Sequence, residues 1–170
     1  WNEKTYKVNE RMTTLSYEAH VKYTGRNFAF AAKSLMASCL DHTALIGGYG
    51  ISSINPDNGE QEYTPFRHST SWVNFTYGTK WKGHFFAGYT KNLGTTDALA
   101  SATKYGMGLD IDQVFSTNIA FSYNLPHWQI GVEYMPTTAW YGDTDRASGK
   151  VVNTHSVTNH RILGLVMYYF

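Results

Sequence analysis

The chain has 170 residues, enough for one domain with a sizeable core, and its 14 basic and 13 acidic side chains leave a formal net charge of +1. This balance provides no electrostatic footprint for nucleic acid and no basic arm for an anionic membrane surface. No stretch approaches the roughly 18 uncharged apolar residues of a transmembrane helix. Aromatic residues are unusually frequent at 16%, and the single cysteine, Cys39, excludes an internal disulfide.

Eight segments alternate between apolar and polar residues with the period of two that is typical of β-strands. The clearest of them reads FSTNIAFSY over residues 115–123. Helix is almost absent, because only residues 97–100 are suited to one short helical turn, with Asp97 as its cap. The sequence therefore predicts one all-β domain over residues 1–170, with strands at about 14–24, 27–37, 43–51, 69–78, 81–91, 113–124, 128–136 and 160–170.

The connections between these segments fall into two length classes. Two are tight turns, at 78–80 and 125–127, and three are long and polar, at 52–68, 92–112 and 139–159. Long loops are uncommon in compact soluble domains, whereas transmembrane β-barrels combine short turns at one end with long loops at the other. If residue 170 lies at the short-turn end, an up-and-down threading places both turns at that end and all three loops at the opposite end.

The same threading sorts the aromatic residues into two rows at the strand ends. Aromatic rings favour the two interfaces of a bilayer, and strand propensity alone explains their number but not this gathering. The sequence therefore predicts a transmembrane antiparallel up-and-down β-barrel. The row at the short-turn end comprises Tyr77, Trp81, Tyr123, Trp128, Tyr168 and Phe170, and the opposite row comprises Tyr23, Tyr49, Tyr89, Tyr134 and Trp140.

The last ten residues, RILGLVMYYF, resemble the C-terminal strand of Gram-negative outer-membrane β-barrel proteins. That strand ends in Phe, with aromatic or apolar residues at alternate positions before it. In the family it is read by the barrel-assembly machinery. The resemblance implies an integral protein of the bacterial outer membrane, with Tyr168 and Phe170 as the assembly signal and Phe170 as the true C-terminus. The glycines around Tyr49, the loop at 55–60 and the run 72–81 also resemble porin-type barrels of the DcaP-like kind.

Eight strands would suffice for a small closed barrel, but the interior of such a barrel is filled by side chains. Leu163, Leu165 and Met167 are bulky inward residues, which argue against a wide aqueous pore unless a loop folded into the lumen covers them. Residues 1–8 also alternate between apolar and polar side chains, as a further strand before the first would. We therefore expect the C-terminal part of a larger porin-like barrel, with a complete small barrel of the OmpA type as the alternative. The predicted inward faces of the second, third and sixth strands are largely made of small residues: Ala29, Ala31, Ala44, Gly48, Gly50, Ser116, Asn118, Ala120 and Ser122.

Charged and imidazole side chains on the predicted inward faces form the candidate pore lining. Rings of charged side chains bias the passage of solutes by charge, and the basic residues here outnumber the acidic ones, which favours anionic solutes. A paired or solvated interior without selectivity is the alternative interpretation. The set is Glu18, His20, Lys22, Lys33, Lys82, His84, Glu133 and Arg161.

The sequence therefore predicts a porin-like channel for passive diffusion of small hydrophilic solutes, embedded in outer-membrane lipid, with a homo-oligomer such as a trimer expected for a large barrel. The alternative is a small closed eight-stranded barrel with a structural or adhesive role through its outer loops. We expect no enzyme, metal, cofactor or nucleic-acid partner. His155 and Ser156 are neighbours on a strand and would point to opposite faces, and the 7 histidines lack the spacing of a zinc site.

Overall fold

The computed structural model describes residues 10–40 and 46–170, in which nine strands form one antiparallel sheet without a helix. Within this described part, no helix is long and apolar enough to cross a membrane. The all-β prediction is thus confirmed, with one strand more than predicted. The strands are β1 (Tyr17–Thr24), β2 (Phe28–Ser38), β3 (Gly47–Ile54), β4 (Gln61–Gly78), β5 (Trp81–Gly94), β6 (Lys104–Met107), β7 (Ile111–Asn124), β8 (Trp128–Thr144) and β9 (Val151–Tyr168).

Strands β2 and β3 share one position in the sheet, because both run antiparallel to β4. β2 pairs with the half of β4 that starts at Arg67, and β3 pairs with the half that ends at Phe66. The N–H of Cys39, next after β2, donates to the carbonyl of Phe66, where β3 takes over. The sheet is therefore seven strands across, in the order β1, β2, β4, β5, β7, β8, β9. Among the described residues β1 and β9 do not pair, so the sheet is open.

The connections separate by length between the two ends of the sheet. Short turns lie at residues 25–27, 79–80 and 125–127, which confirms both predicted tight turns. Adjacent turns and strands are tied together at this end, since the N–H of Gly78 donates to the carbonyl of Asn27 and that of Asn124 donates to the carbonyl of Lys80, both at 2.8 Å. The longer connections, at 55–60, 95–110 and 145–150, lie at the other end.

Two of the three predicted long loops are mostly strand. β4 begins at Gln61, and β8 and β9 extend to Thr144 and from Val151, so residues 52–68 and 139–159 contain only the turns 55–60 and 145–150. These strand extensions carry polar residues on both faces, so they lack the apolar alternation that indicates a strand. Ladder hydrogen bonds and cross-strand contacts hold them instead, including the pair of hydroxyls on Thr138 and Thr158 at 2.9 Å.

The continuous register gives the sheet one apolar and one polar face, because side chains alternate along each strand and partners across a ladder share a face. Large apolar side chains on the first face are strongly exposed, with Trp81 at 70% and Ile162 at 76%. Soluble monomers rarely expose contiguous apolar patches beyond a few hundred Å². This face carries Val21, Tyr23, Val73, Phe75, Tyr77, Trp81, Phe85, Tyr89, Phe115, Ile119, Phe121, Trp128, Ile130, Val132, Tyr134, Ile162, Val166 and Tyr168.

Tyr23 lies at the opposite end from the one predicted. Because β2 and β3 share one position in the sheet, β1 runs in the direction opposite to the predicted one. Tyr23 therefore lies beside the short turn at 25–27. Its ring packs against Phe28 at 5.3 Å, and Phe28 packs against Phe75 at 6.2 Å. The short-turn end thus gains aromatic residues. Ala44 and the alternating residues 1–8 lie outside the described residues.

The connection between β5 and β7, which we term the crossing segment (residues 95–110), folds across the polar face instead of extending from the sheet. The N–H groups of Leu99 and Ala100 donate to the carbonyls of Arg146 and Ile51, at 2.7 and 2.9 Å. These two acceptors belong to the β8–β9 turn and to β3, which are four strand positions apart, or roughly 19 Å along a flat sheet. Such a bridge requires this end of the structure to curve. The predicted helical turn at 97–100 is absent, and the N–H groups of Leu99 and Ala100 bond to distant parts of the sheet.

Strand β6 of the crossing segment pairs with the free edge of β3, a contact that depends on glycine. Gly48 lies opposite Gly106, and both have a positive φ, at 146° and 145°. A Cβ added at Gly48 would lie 2.1 Å from the carbonyl oxygen of Tyr105 and 2.7 Å from the Cα of Gly106. The predicted loop 92–112 therefore contains a strand, because two glycines allow the backbones to approach closely.

We predict that Gly48→Ala detaches β6 while leaving the rest of the sheet paired. The added methyl would overlap the backbone of β6, and the positive φ adds strain of about 1–3 kcal/mol. Amide hydrogen exchange of Lys104–Met107 should accelerate to the rate of an unpaired segment. Gly164→Ala on β9 is the control, since a Cβ there meets nothing within 4 Å. Unchanged protection of β6 in Gly48→Ala would contradict the pairing.

Candidate functional site on the polar face

The eight side chains predicted to line a pore all lie on the polar face of the sheet. Their shared face follows from the register, in which His20 pairs with Lys33 and Ala120 pairs with both His84 and Glu133. β1 contributes Glu18, His20 and Lys22, β2 contributes Lys33, β5 contributes Lys82 and His84, β8 contributes Glu133, and β9 contributes Arg161. The sequence pattern thus placed these side chains together, although their role in passage remains a prediction.

Most of the charges on this face are paired. Glu18 accepts from Lys33 at 2.7 Å and lies 3.3 Å from a ring nitrogen of His20. At the other side of the sheet, Arg161 donates to Glu133 at 2.6 Å. Exposed pairs of this kind contribute little to stability because water screens them, so they set the local charge more than they hold the fold.

Two basic residues, Lys22 and Lys82, make no ion pair with any described residue. They stand on β1 and β5, and the cross-strand neighbours of Lys22 and Lys82 on these ladders are the small residues Ala31 and Ser122. Because the acidic residues of the candidate set are already matched by Lys33 and Arg161, these lysines carry the remaining positive charge of the set.

A neutral hydrogen-bond chain crosses β4, β5 and β7 between the charged groups. His84 Nδ1 lies 3.1 Å from Thr76 Oγ1, and His84 Nε2 lies 3.3 Å from Ser122 Oγ. Asn124 Nδ2 donates to Ser122 Oγ at 3.1 Å. The hydroxyls of Thr76 and Ser122 can each donate or accept, so either neutral tautomer of His84 is satisfied at both ring nitrogens. Every member has a partner, so these hydrogen bonds rigidify the sheet without requiring a ligand.

The two leucines of β9 on the polar face remain partly open. Leu163 and Leu165 are 46% and 38% exposed and line a shallow cavity of about 230 Å³ together with His84, Ser122 and Glu133. The crossing segment lies at the far end of the sheet from them. A segment folded onto the polar face is present, as the sequence suggested, but no described residue of it covers these leucines.

The crossing segment seals a small core on the polar face that the sequence did not predict. Leu99 and Leu109 pack on Phe66 of β4, and all three are almost fully buried. A Cβ at Gly50 would lie 2.6 Å from the side chain of Leu99, so this glycine makes room for it. The signal was available in part, because the glycine-rich stretch 47–50 and the pair Gly106 and Gly108 both permit close backbone approach.

The β8–β9 turn holds the crossing segment from the opposite side. The N–H of Thr95 donates to the carbonyl of Ser148 at 2.9 Å, and Lys104 Nζ donates to Thr144 at 2.5 Å. Asp145 organises this turn, since its carboxylate accepts from the hydroxyl of Ser148 at 2.6 Å and from the N–H of Ala147 at 3.3 Å. These bonds, that of Ser148 foremost, hold the pKa of Asp145 below its ordinary value.

His155 and Ser156 occupy consecutive positions of β9, opposite Tyr141 and Trp140, and therefore face different sides of the strand. The described residues contain no group of three or more His, Cys, Asp or Glu side chains arranged to hold a metal ion. The predicted assembly residues lie at the short-turn end: the ring of Tyr168 packs on Trp128 at 4.8 Å and on Phe170 at 6.5 Å.

Comparison of the chain with protein-family models, with curated proteins and with solved structures found no match.

We predict that the hydrogen bonds between the β8–β9 turn and the crossing segment weaken when Asp145 is protonated. The pKa of the Asp145 carboxyl is lower in the folded turn than in the unfolded chain. The carboxylate therefore stabilises the turn fully at pH values above its ordinary pKa, and this stabilisation is lost as the pH falls through the lowered pKa of the folded turn. Amide exchange of Thr95 and Leu99 should therefore lose protection in strongly acidic solution, and in Asp145→Asn at all pH values.

Asp57→Asn in the equivalent turn at 55–60 is the matched control, because the N–H of Asp57 bonds to Asn55 there and no described group donates to the Asp57 carboxylate. Equal protection of Leu99 in Asp145→Asn and in the wild type would show that the turn does not hold the segment.

Proposed function

We propose that this sheet is part of the wall of an outer-membrane β-barrel that acts as a porin-like channel for small hydrophilic solutes. The observation that carries the proposal is the sheet's broad apolar face, which no described part of the chain covers. On β5 this face runs from Trp81 to Tyr89, roughly 27 Å along the strand at about 3.4 Å per residue. A strand tilt of about 40° reduces this to roughly 20 Å, comparable with the ~25 Å apolar band of outer-membrane barrels.

Aromatic residues at the ends of the strands support a lipid environment for this face. At the short-turn end Trp81 packs on Tyr123 at 4.5 Å, and Lys80 lies over the Tyr123 ring at 5.2 Å. Amphipathic rings and basic side chains prefer the level of the lipid headgroups. In this proposal the short turns face the periplasm, and the crossing segment lies toward the outer surface.

The small residues on the polar face, more than the strand count, favour a larger barrel. Bacterial single-chain barrels have an even number of strands, and the seven positions described here have two unpaired edges, β1 and β9. Small residues on the polar face, such as Ala31, Ser116 and Ala120, suit a wall that faces water more than a filled interior. An eight-stranded barrel with a structural or adhesive role remains the second candidate, because one further strand would supply an even count.

In this channel, the width of the lumen and the charge of its lining determine which solutes pass, and no chemical step takes place. The crossing segment narrows the path along the polar face, and the unpaired cations Lys22 and Lys82 favour anionic solutes. The partners proposed are outer-membrane lipid, the barrel-assembly machinery acting on Tyr168 and Phe170, the solutes themselves and further copies of the chain in a homo-oligomer such as a trimer.

We predict that Ile162→Arg impairs folding into membranes, whereas Leu163→Arg does not. The two positions are neighbours on β9 and both side chains are exposed, but Ile162 is on the apolar face and Leu163 on the polar face. The cost of a lipid-facing Arg depends on depth, from about 2–4 kcal/mol at the bilayer centre to about 0–1 kcal/mol at the interfaces, whereas an Arg that faces water costs little. Urea titration of the protein folded in lipid vesicles measures the difference, and equal stability of the two variants would oppose a lipid-facing role.

Single-channel recording in a planar bilayer, on protein purified from outer membranes with its intact mass measured, tests transport directly. We expect large, stable conductance steps with preference for chloride over potassium. Lys22→Gln combined with Lys82→Gln should shift the reversal potential toward cations. Lys80→Gln, in a turn at the end of the wall, is the control and should leave it nearly unchanged. A folded protein without conductance would sink the channel and favour the small closed barrel.

A further inference from the structure

A buried histidine lies beneath the crossing segment without a partner for either ring nitrogen. His68 of β4 is 1% exposed, and neither Nδ1 nor Nε2 has a hydrogen bond. Most buried polar groups in proteins are hydrogen-bonded, and leaving one unsatisfied is unfavourable. His68 shares the polar face with the candidate pore lining, but it lies at the end of β4 that the crossing segment covers.

The ring is enclosed by backbone and small side chains from several elements. Ala37 of β2 and Asn92 of β5 are its partners across the ladders. A Cβ at Gly47 of β3 would lie 3.3 Å from the imidazole, and Gly108 and Leu109 of the crossing segment complete the enclosure. The packing leaves no space the size of a water molecule beside the ring. A proton taken up here would therefore have neither a counter-charge nor solvent.

The described charged groups of the surrounding elements do not bond to the ring. Arg67 adjoins His68 on β4 and donates to the carbonyl of Thr95 at 3.3 Å, and Lys91 of β5 pairs with Asp112 of β7 at 2.6 Å. β2 brings Lys33, which pairs with Glu18, and β3 brings only Tyr49 as a titratable group. On the crossing segment these groups are Asp97, Lys104, Tyr105 and Asp110. Among the described residues none bonds to the imidazole.

We propose that His68 is a pH sensor that releases the crossing segment from the polar face in mildly acidic solution. When the segment is docked, the imidazole stays neutral because it is dry and unpartnered. When the segment is released, water reaches the ring. The imidazole then binds a proton once the pH falls below its ordinary pKa of about 6.5. The released form thus binds one proton that the docked form excludes, so the ratio of released to docked molecules rises up to about tenfold per pH unit below that value.

The consequence for transport rests on the proposed function: releasing a segment that crosses the polar face would widen the path. The sensor itself does not depend on conduction, because it concerns only the docking of residues 95–110. This range of pH also separates His68 from Asp145, whose carboxylate loses its charge only in much more acidic solution.

Hydrogen exchange measured by mass spectrometry on residues 95–110 tests the sensor, using the whole protein folded in lipid vesicles at pH 7.5, 6.5 and 5.5. Rates are corrected for the intrinsic effect of pH on amide exchange. In the wild type, protection should fall by up to about tenfold per pH unit below about 6.5. In His68→Phe, which keeps a ring but cannot be charged, protection should stay constant.

His68→Met provides a second uncharged variant if Phe does not fit the site, and His155→Gln on the exposed part of β9 is the control that should retain the wild-type response. Constant protection in the wild type, or an equal fall in folded His68→Phe or His68→Met, would overturn the proposal. A pH response of exchange without a change in conductance would leave the sensor intact and count against the proposed channel.

Discussion

One energetically unfavourable feature dominates the structure: a broad apolar face is exposed on an otherwise well-paired sheet. Backbone groups within the ladders are satisfied by antiparallel pairing, and the polar face satisfies its own charges through pairs such as Lys33 with Glu18 and Arg161 with Glu133. The apolar face has no comparable partner among the described residues. At about 25 cal/mol per Å² of apolar surface, removing such a face from water is the largest stabilisation available to this sheet. In the proposed membrane location, lipid would remove this face from water without further protein contacts, and the aromatic residues at the short-turn end suit the headgroup level.

Alternation sufficed to predict the two faces, because a side chain's face in a strand is fixed by parity alone. All eight candidate residues share the polar face for this reason, and the turns at 78–80 and 125–127 were recognisable from their flanking patterns. The pairing partners of a strand are not encoded in its own pattern. For this reason the prediction gave β2 and β3 two separate positions in the sheet. It therefore gave β1 the wrong direction and placed Tyr23 at the wrong end of the sheet.

Other features were hidden because they rest on interactions distant in sequence. β6 has four residues and no alternation of its own, and it exists because Gly106 meets Gly48 across β3. The outer parts of β4, β8 and β9 carry polar residues on both faces, so they lack the apolar alternation that distinguishes a strand from a loop in the sequence. His68 was one of several polar residues in an expected loop, and its burial becomes visible only when Leu109 and Gly108 close over it. The sequence pattern therefore predicted the part of the sheet with the apolar face better than the end that carries the crossing segment.

The most direct test of the lipid-facing sheet is a scan of spin labels along β7 in lipid vesicles, in a Cys39→Ser background. The account predicts a period of two. Oxygen, which concentrates in lipid, should reach labels at Phe115, Thr117, Ile119 and Phe121 best, and a water-soluble nickel reagent should reach labels at Ser116, Asn118 and Ala120 best. Equal access of the nickel reagent to every position, or the opposite phase, would contradict the account.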